Sequence, residues 1–146
     1  IGKKMEYLNP YNRYYPASGQ NSLIDGLYGG FSHGDGHWQG FIGAPFDVII
    51  DLDEIDSLRH IRINFLQNSN AEIWLPEEIT IALSNERNGD FEPLATFNNS
   101  IVCDKAGTFS RSFEWNSSHQ ARFIRITATI NPAVRGWIFA DEIVVW

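Results

Sequence analysis

The strongest constraint on this chain is a two-residue alternation that recurs in separate short stretches. Phe46, Val48, Ile50 and Leu52 fall on one side of an extended segment, with Asp47 and Asp51 on the other. Ile61, Ile63 and Phe65 repeat the pattern with Arg62 and Asn64 outward. Ile79, Ile81 and Leu83 repeat it again, as do Ile124, Ile126 and Ala128, and Ile143 with Val145 closes the chain. Successive side chains of a strand point to opposite faces, so each stripe predicts an antiparallel strand with one buried and one wet face. No helical apolar stripe runs longer than about two turns. Asn88-Gly89 suits a positive-φ turn, Asn131-Pro132 breaks the chain after the fourth stripe, and Pro76 opens a strand rather than interrupting one. The prediction is an all-β chain, a β-sandwich jelly roll, forming one domain over residues 1–146.

At 146 residues the chain is long enough to bury a core without staples. The formal net charge is -7 and its eleven basic residues are scattered. That excludes the lysine and arginine stripe of a nucleic-acid surface and predicts no anionic-membrane partner. No apolar run reaches the roughly 20 residues of a membrane-spanning helix, so no membrane insertion is expected. The single cysteine, Cys103, cannot form an internal disulfide or a thiolate zinc cluster, and reads as a small apolar core residue. Asn98-Asn99-Ser100 and Asn116-Ser117-Ser118 match the glycosylation triplet, a pattern common by chance. The chain begins at Ile1 without a methionine, which reads as a domain excised from a larger protein, and a monomer is expected.

Two features go beyond the core pattern. Residues 26–43 contain seven glycines, too many for a strand or helix, yet Phe31, Trp38 and Phe41 within them favour an ordered loop. An acidic turn, Asp25-Gly26, lies near the start of the chain, and Asp141-Glu142 lies beside the terminal strand. A carboxylate from each chain end, beside glycine-rich backbone, suits one hard cation such as Ca²⁺, which takes 6–8 oxygen ligands. Glu142 is the more telling of the two, because an acid on a closing strand needs a partner if buried. Alone, Asp25 also reads as a turn residue bonded to its own backbone.

In order along the chain, Leu23-Ile24-Asp25-Gly26, Trp38-Gln39-Gly40-Phe41, Asp51-Leu52, Ile61-Arg62-Ile63 and Trp74-Leu75-Pro76 lead into Ile79-Thr80-Ile81-Ala82-Leu83-Ser84. Ala121-Arg122-Phe123-Ile124-Arg125-Ile126 and Asp141-Glu142-Ile143 follow. This series resembles the coagulation factor V/VIII type C (discoidin) domain, and within it the bacterial family 32 carbohydrate-binding modules, especially those appended to secreted β-hexosaminidases and related glycosidases. The resemblance runs from about Tyr14 to Trp146. It implies an eight-stranded, non-catalytic, galactose-binding-like jelly roll that binds glycans for a glycosidase domain of the same chain, in a secreted, periplasmic or cell-surface protein. It also implies a structural Ca²⁺ held by Asp25 and Glu142, with backbone carbonyls around Leu23, Gly30 and Gly36. The family pattern has Thr or Ser two residues before the loop tryptophan; here that position is Gly36, which leaves Asp35 or water to replace one oxygen.

A sugar site needs an aromatic face for the C–H side of a pyranose and planar polar groups for its hydroxyls. Trp74, after the polar run Gln67-Asn68-Ser69-Asn70, is the aromatic candidate; it would otherwise cap the sandwich. Trp38 and Trp137 read as core, Trp115 and Trp146 as structural or edge residues. His33, Asp35, Asn68 and Arg135 are the candidate hydroxyl partners, each alternatively a solvated loop residue. Tyr14 and Tyr15 offer a second stacking face or pack the N-terminal segment. Catalysis finds no footing. Glu77 and Glu78, as neighbours on a strand, point to opposite faces and cannot form a glycosidase pair. His33, His37, His60 and His119 lack zinc-helix spacing, and no nucleophile elbow or phosphate loop occurs. A domain that only braces a glycosidase and binds no sugar is the other reading.

Overall fold

The computed structural model describes residues 3–30, 34–98, 108–130 and 136–146. Cys103, Phe31, His33 and Arg135 lie outside them. Seven strands run in order: β1 (Lys4–Tyr7), β2 (Gln39–Phe41), β3 (Phe46–Asn68), β4 (Glu78–Ser84), β5 (Glu92–Asn98), β6 (Thr108–Thr129) and β7 (Ile138–Val145). Two short 3₁₀ turns, Ser22–Ile24 and Ser69–Ala71, are the only helical elements among the described residues.

The pairings between these strands are antiparallel, and β3 and β6 are long enough to belong to two layers. Their pairing runs from Phe46–Ala128 to Asp51–Phe123, shifts register, and resumes at Asp56–Ala121. The first half of β3 and the second half of β6 join β1, β4 and β5 in one layer. The second half of β3 and the first half of β6 join β7 and β2 in the other. The resemblance implied eight strands. Here two strands each serve both layers, so seven continuous strands supply nine sheet segments.

The two layers close on one core. Val48, Ile50, Ile61, Ile63, Phe65, Ile79, Ile81, Ile124, Ile126 and Ile143 are all at most 3% exposed, and Phe46 meets Phe65 edge-on at 5.7 Å. These are the stripes of the alternation. Burying each such side chain contributes about 1.5–3 kcal/mol, so this set outweighs any surface interaction described below. β7 breaks the alternation once. Ala140 pairs with Phe65 and Ile143 with Ile63, leaving Asp141 and Glu142 opposite Asn64 alone. That two-against-one bulge turns two consecutive acids toward the loop that covers this layer.

Candidate functional site: the loop end of the sandwich

The glycine-rich loop lies on the outside of the second layer. Trp38 is 1% exposed and packs with Leu66, Ile73 and Phe139, a small second core outside the sheet. Its indole N–H donates to the Gly30 carbonyl (3.0 Å). Gly29 passes so close that a Cβ there would overlap the indole. The loop is pinned at three more points. Gly26 N–H donates to Glu142 Oε2 (3.0 Å), Gly29 N–H to Asp141 Oδ2 (2.8 Å), and Gly30 N–H to Asp35 Oδ2 (2.8 Å). Asp35 Oδ1 also accepts from His37 N–H (2.9 Å), so this exposed carboxylate closes its own loop.

The two chain ends do meet. The Ser22–Ile24 turn packs on β7, and the bond from Gly26 to Glu142 sets the Asp25 turn against the final strand. Asp25 Oδ1 accepts from Leu27 N–H (2.9 Å) and Oδ2 from the Ser18 hydroxyl (2.6 Å). Glu142 is 4% exposed and Asp141 fully buried. Burial, with the Asp25 charge adding, pushes the Glu142 carboxyl up to about 8; burial pushes Asp141 up to about 6 against the hydrogen bond from Gly29. An oxygen-rich site with two carboxylates at one turn fits a hard cation, which would offset the desolvation of Glu142. Among the described residues no third acid or histidine joins them in a cluster. The remaining ligands would be carbonyls such as those of Leu23, Gly30 and Gly36. One of these, Gly30, already accepts the Trp38 indole. Gly36 adopts φ +88, a conformation that favours glycine, which explains its presence where the family pattern has Thr or Ser.

The predicted sugar partners divide. Trp74 is half-buried, neither a free platform nor a core residue. Its backbone N–H donates to the Trp137 carbonyl (2.9 Å), while the Trp137 backbone N–H donates to the Glu72 carbonyl (2.8 Å). Asn68 is committed to structure, because its side chain accepts from Ala71 N–H (3.3 Å) and caps the 3₁₀ turn. Tyr15 packs edge-on against Trp137 (5.2 Å) and Phe139 (4.8 Å), so it braces the second core. Trp38 is core as expected. Trp137 is half-buried against the second cluster, and Trp146 is exposed and stacks on His60 at 4.1 Å.

Sequence reasoning missed a cleft of about 480 Å³ at this end, lined by Phe41, Ile42, Pro45, Thr129, Ile130 and Ile138, with Gly136 on its wall. The size lies within the range of about 300–1,000 Å³ for small-molecule sites. Trp74 stands beside it, since a Cβ on Gly136 would come 3.0 Å from the indole Cδ1 and overlap the Glu72 carbonyl. Gly136 sits at φ +151, so both space and backbone require glycine there. No motif announces this cleft; its lining comes from three strand ends far apart in sequence. Also missed was Tyr28, half exposed, whose hydroxyl accepts from Arg62 Nη2 (2.6 Å).

A search of the sequence against family models and curated proteins returns no match. Solved structures do match over the whole chain. A structure titled CBM32 of AlyQ in complex with 4,5-unsaturated mannuronic acid is 15% identical, with 100% of this chain and 98% of that chain covered and a TM-score of 0.61. A GH31 CBM32-2 bound to GalNAc is 16% identical, with coverages of 100% and 99% and a TM-score of 0.63. A Ruminococcus gnavus GH29 fucosidase in complex with fucose is 15% identical; 99% of this chain matches 25% of that one, with a TM-score of 0.67. The chain has the galactose-binding-like β-sandwich fold of the family 32 carbohydrate-binding modules.

Proposed function

We propose that this chain is a non-catalytic carbohydrate-binding module, holding an attached glycosidase against glycans that end in galactose or an N-acetylhexosamine. The observation that carries the reading is the apolar cleft beside Trp74, at one end of a fold whose full-length counterparts include a module titled as bound to GalNAc. An indole edge beside an apolar cleft suits the C–H face of a pyranose, with loop backbone and side chains left for its hydroxyls. One ring and a few water-competing hydrogen bonds give a Kd of about 1 mM, roughly -4 kcal/mol, which tethering to an enzyme turns into useful avidity. Calorimetry with a panel of mono- and disaccharides tests the reading, and binding unchanged by Trp74→Ala would remove the indole from it.

The same reading includes a structural Ca²⁺ held by Asp25, Glu142 and backbone carbonyls of the loop. Support comes from the hydrogen bond that sets Glu142 against the Asp25–Gly26 turn and from the buried state of Glu142. A cation that binds only the folded state stabilises it by mass action, about 2.7 kcal/mol at a hundredfold excess over Kd. Thermal unfolding with Ca²⁺ and with a chelator is the check: the melting temperature rises with Ca²⁺ for the wild type and does not respond in Glu142→Gln.

A bracing domain that binds no sugar is the second reading, favoured by Asn68 and Tyr15 being committed to internal contacts. It predicts no saccharide heat at all and a lower melting temperature for the parent enzyme when this domain is deleted. No helix among the described residues is long and apolar enough to cross a membrane. Secretion and a monomeric state belong to the proposal.

A further inference from the structure

A second groove lies away from the loop end, on the outer face of the first layer. It encloses about 620 Å³ between β1, the first half of β3, the second half of β6 and the loop after β4. Its walls are two guanidinium–carboxylate pairs. Arg87 Nε and Nη2 donate to Glu6 Oε2 and Oε1, both at 2.6 Å, and Arg122 Nε and Nη2 donate to Asp51 Oδ1 (2.9 Å) and Oδ2 (3.2 Å). Ile49 and Phe123 form the floor, and the Arg122 guanidinium lies 4.9 Å from the centre of the Phe123 ring. The loop that carries Arg87 is fixed at its base. The Ser84 hydroxyl donates to the Glu86 carbonyl (2.7 Å) and accepts from Glu86 N–H (3.1 Å).

Three properties decide what such a groove takes. Its cations (Lys4, Arg87, Arg122) equal its carboxylates (Glu6, Asp51, Glu86) in number, so it offers no net attraction to a uronate, a phosphate or a basic peptide. Each two-pronged pair uses two of the five guanidinium N–H groups, leaving three donors beside carboxylate lone pairs. Adjacent donors and acceptors held in fixed planes match vicinal hydroxyls, which need one of each. Little of the floor is open, Ile49 being 2% and Phe123 6% exposed, so recognition falls to the polar rim.

We propose that this groove is a second saccharide site, taking a neutral oligosaccharide. It shares with the function proposed above the premise that the domain binds glycans, but none of the cleft's residues. The test is a two-dimensional ¹H–¹⁵N NMR titration of the domain with fully N-acetylated chitotriose, a neutral trisaccharide, and, separately, with N-acetylgalactosamine. Chitotriose is expected to shift amides of Glu6, Ile49, Arg87, Arg122 and Phe123; the monosaccharide shifts only those around Phe41, Trp74 and Gly136. The double variant Arg87→Ala with Arg122→Ala weakens the first set about tenfold, the loss of one hydrogen bond to a charged group, and leaves the second intact. Glu6→Gln with Asp51→Asn, which keeps the side-chain shapes, does the same. Shifts confined to the loop end under chitotriose, or a first set unchanged in both double variants, would overturn the groove while sparing the cleft. Silence with both sugars would overturn both sites.

Discussion

The two outer faces of this sandwich are built from strands with the same alternation and reach opposite ends. On the second layer the outward residues include Leu66, Phe139 and Asp141, all at most 1% exposed because the loop and Trp38 cover them. On the first layer the outward residues are Asp47, Asp51, Arg122 and Arg125, paired with one another across strands; Asp51 and both arginines reach water, while Asp47 is buried beside Arg125. The chemistry of their carboxylates differs accordingly. Burial raises Asp141 to about 6, whereas the Arg122 guanidinium holds Asp51 below the usual carboxylate range. A loop laid over a sheet thus turns its wet face into a second core, while an uncovered face keeps its polar groups available to a ligand.

That contrast is most sharply broken by Trp38→Ala. The covered face should lose about 3–5 kcal/mol, as for other buried large aromatics, measured by urea unfolding with the slope compared to wild type. A cost no larger than that of Arg122→Ala on the open face would mean the loop is an ornament. Gly29→Ala comes next. Its methyl group would enter the space of the Trp38 indole, and overpacking of this kind costs about 1–3 kcal/mol. Hydrogen exchange at Gly30 and His37 should then quicken while the β4–β6 amides hold their protection.

The smallest expected effect is a pH dependence on the open face. The folded-state pKa of Asp51 lies below its unfolded value, so the pair with Arg122 contributes fully above about pH 4 and fades as the pH falls through the folded value. Both partners touch solvent, which keeps the contribution small. Asp51→Asn should flatten the acid limb of stability against pH slightly, and a steeper limb would show that the pairing is misjudged.

The inward stripes were legible because a period of two is a local property, and every residue assigned inward by alternation is buried except Val145 at the chain end, which is half-buried. β5 was not legible: Glu92–Asn98 carries Pro93 and barely buries a side chain, as an edge strand does. Ile49 was hidden for another reason. It falls on the outward side of its stripe yet is 2% exposed, at the bottom of a groove whose other residues are distant in sequence. At the site, the approach of the Asp25–Gly26 turn to Glu142 was legible from residue type and position at the two chain ends. The bulge that aims Asp141 and Glu142 was not, since it shows only in the register with β3. The cleft beside Trp74 escaped for the same reason, being assembled from the ends of β2, β6 and β7.

The most direct test of the account is calorimetric titration of the intact domain, in the presence of Ca²⁺, with N-acetylgalactosamine and galactose. The account predicts saturable binding to at least one of them, with Kd of about 1 mM and clear weakening in Trp74→Ala. No heat from either sugar at concentrations about tenfold higher would contradict it and leave the chain as a brace for its parent enzyme.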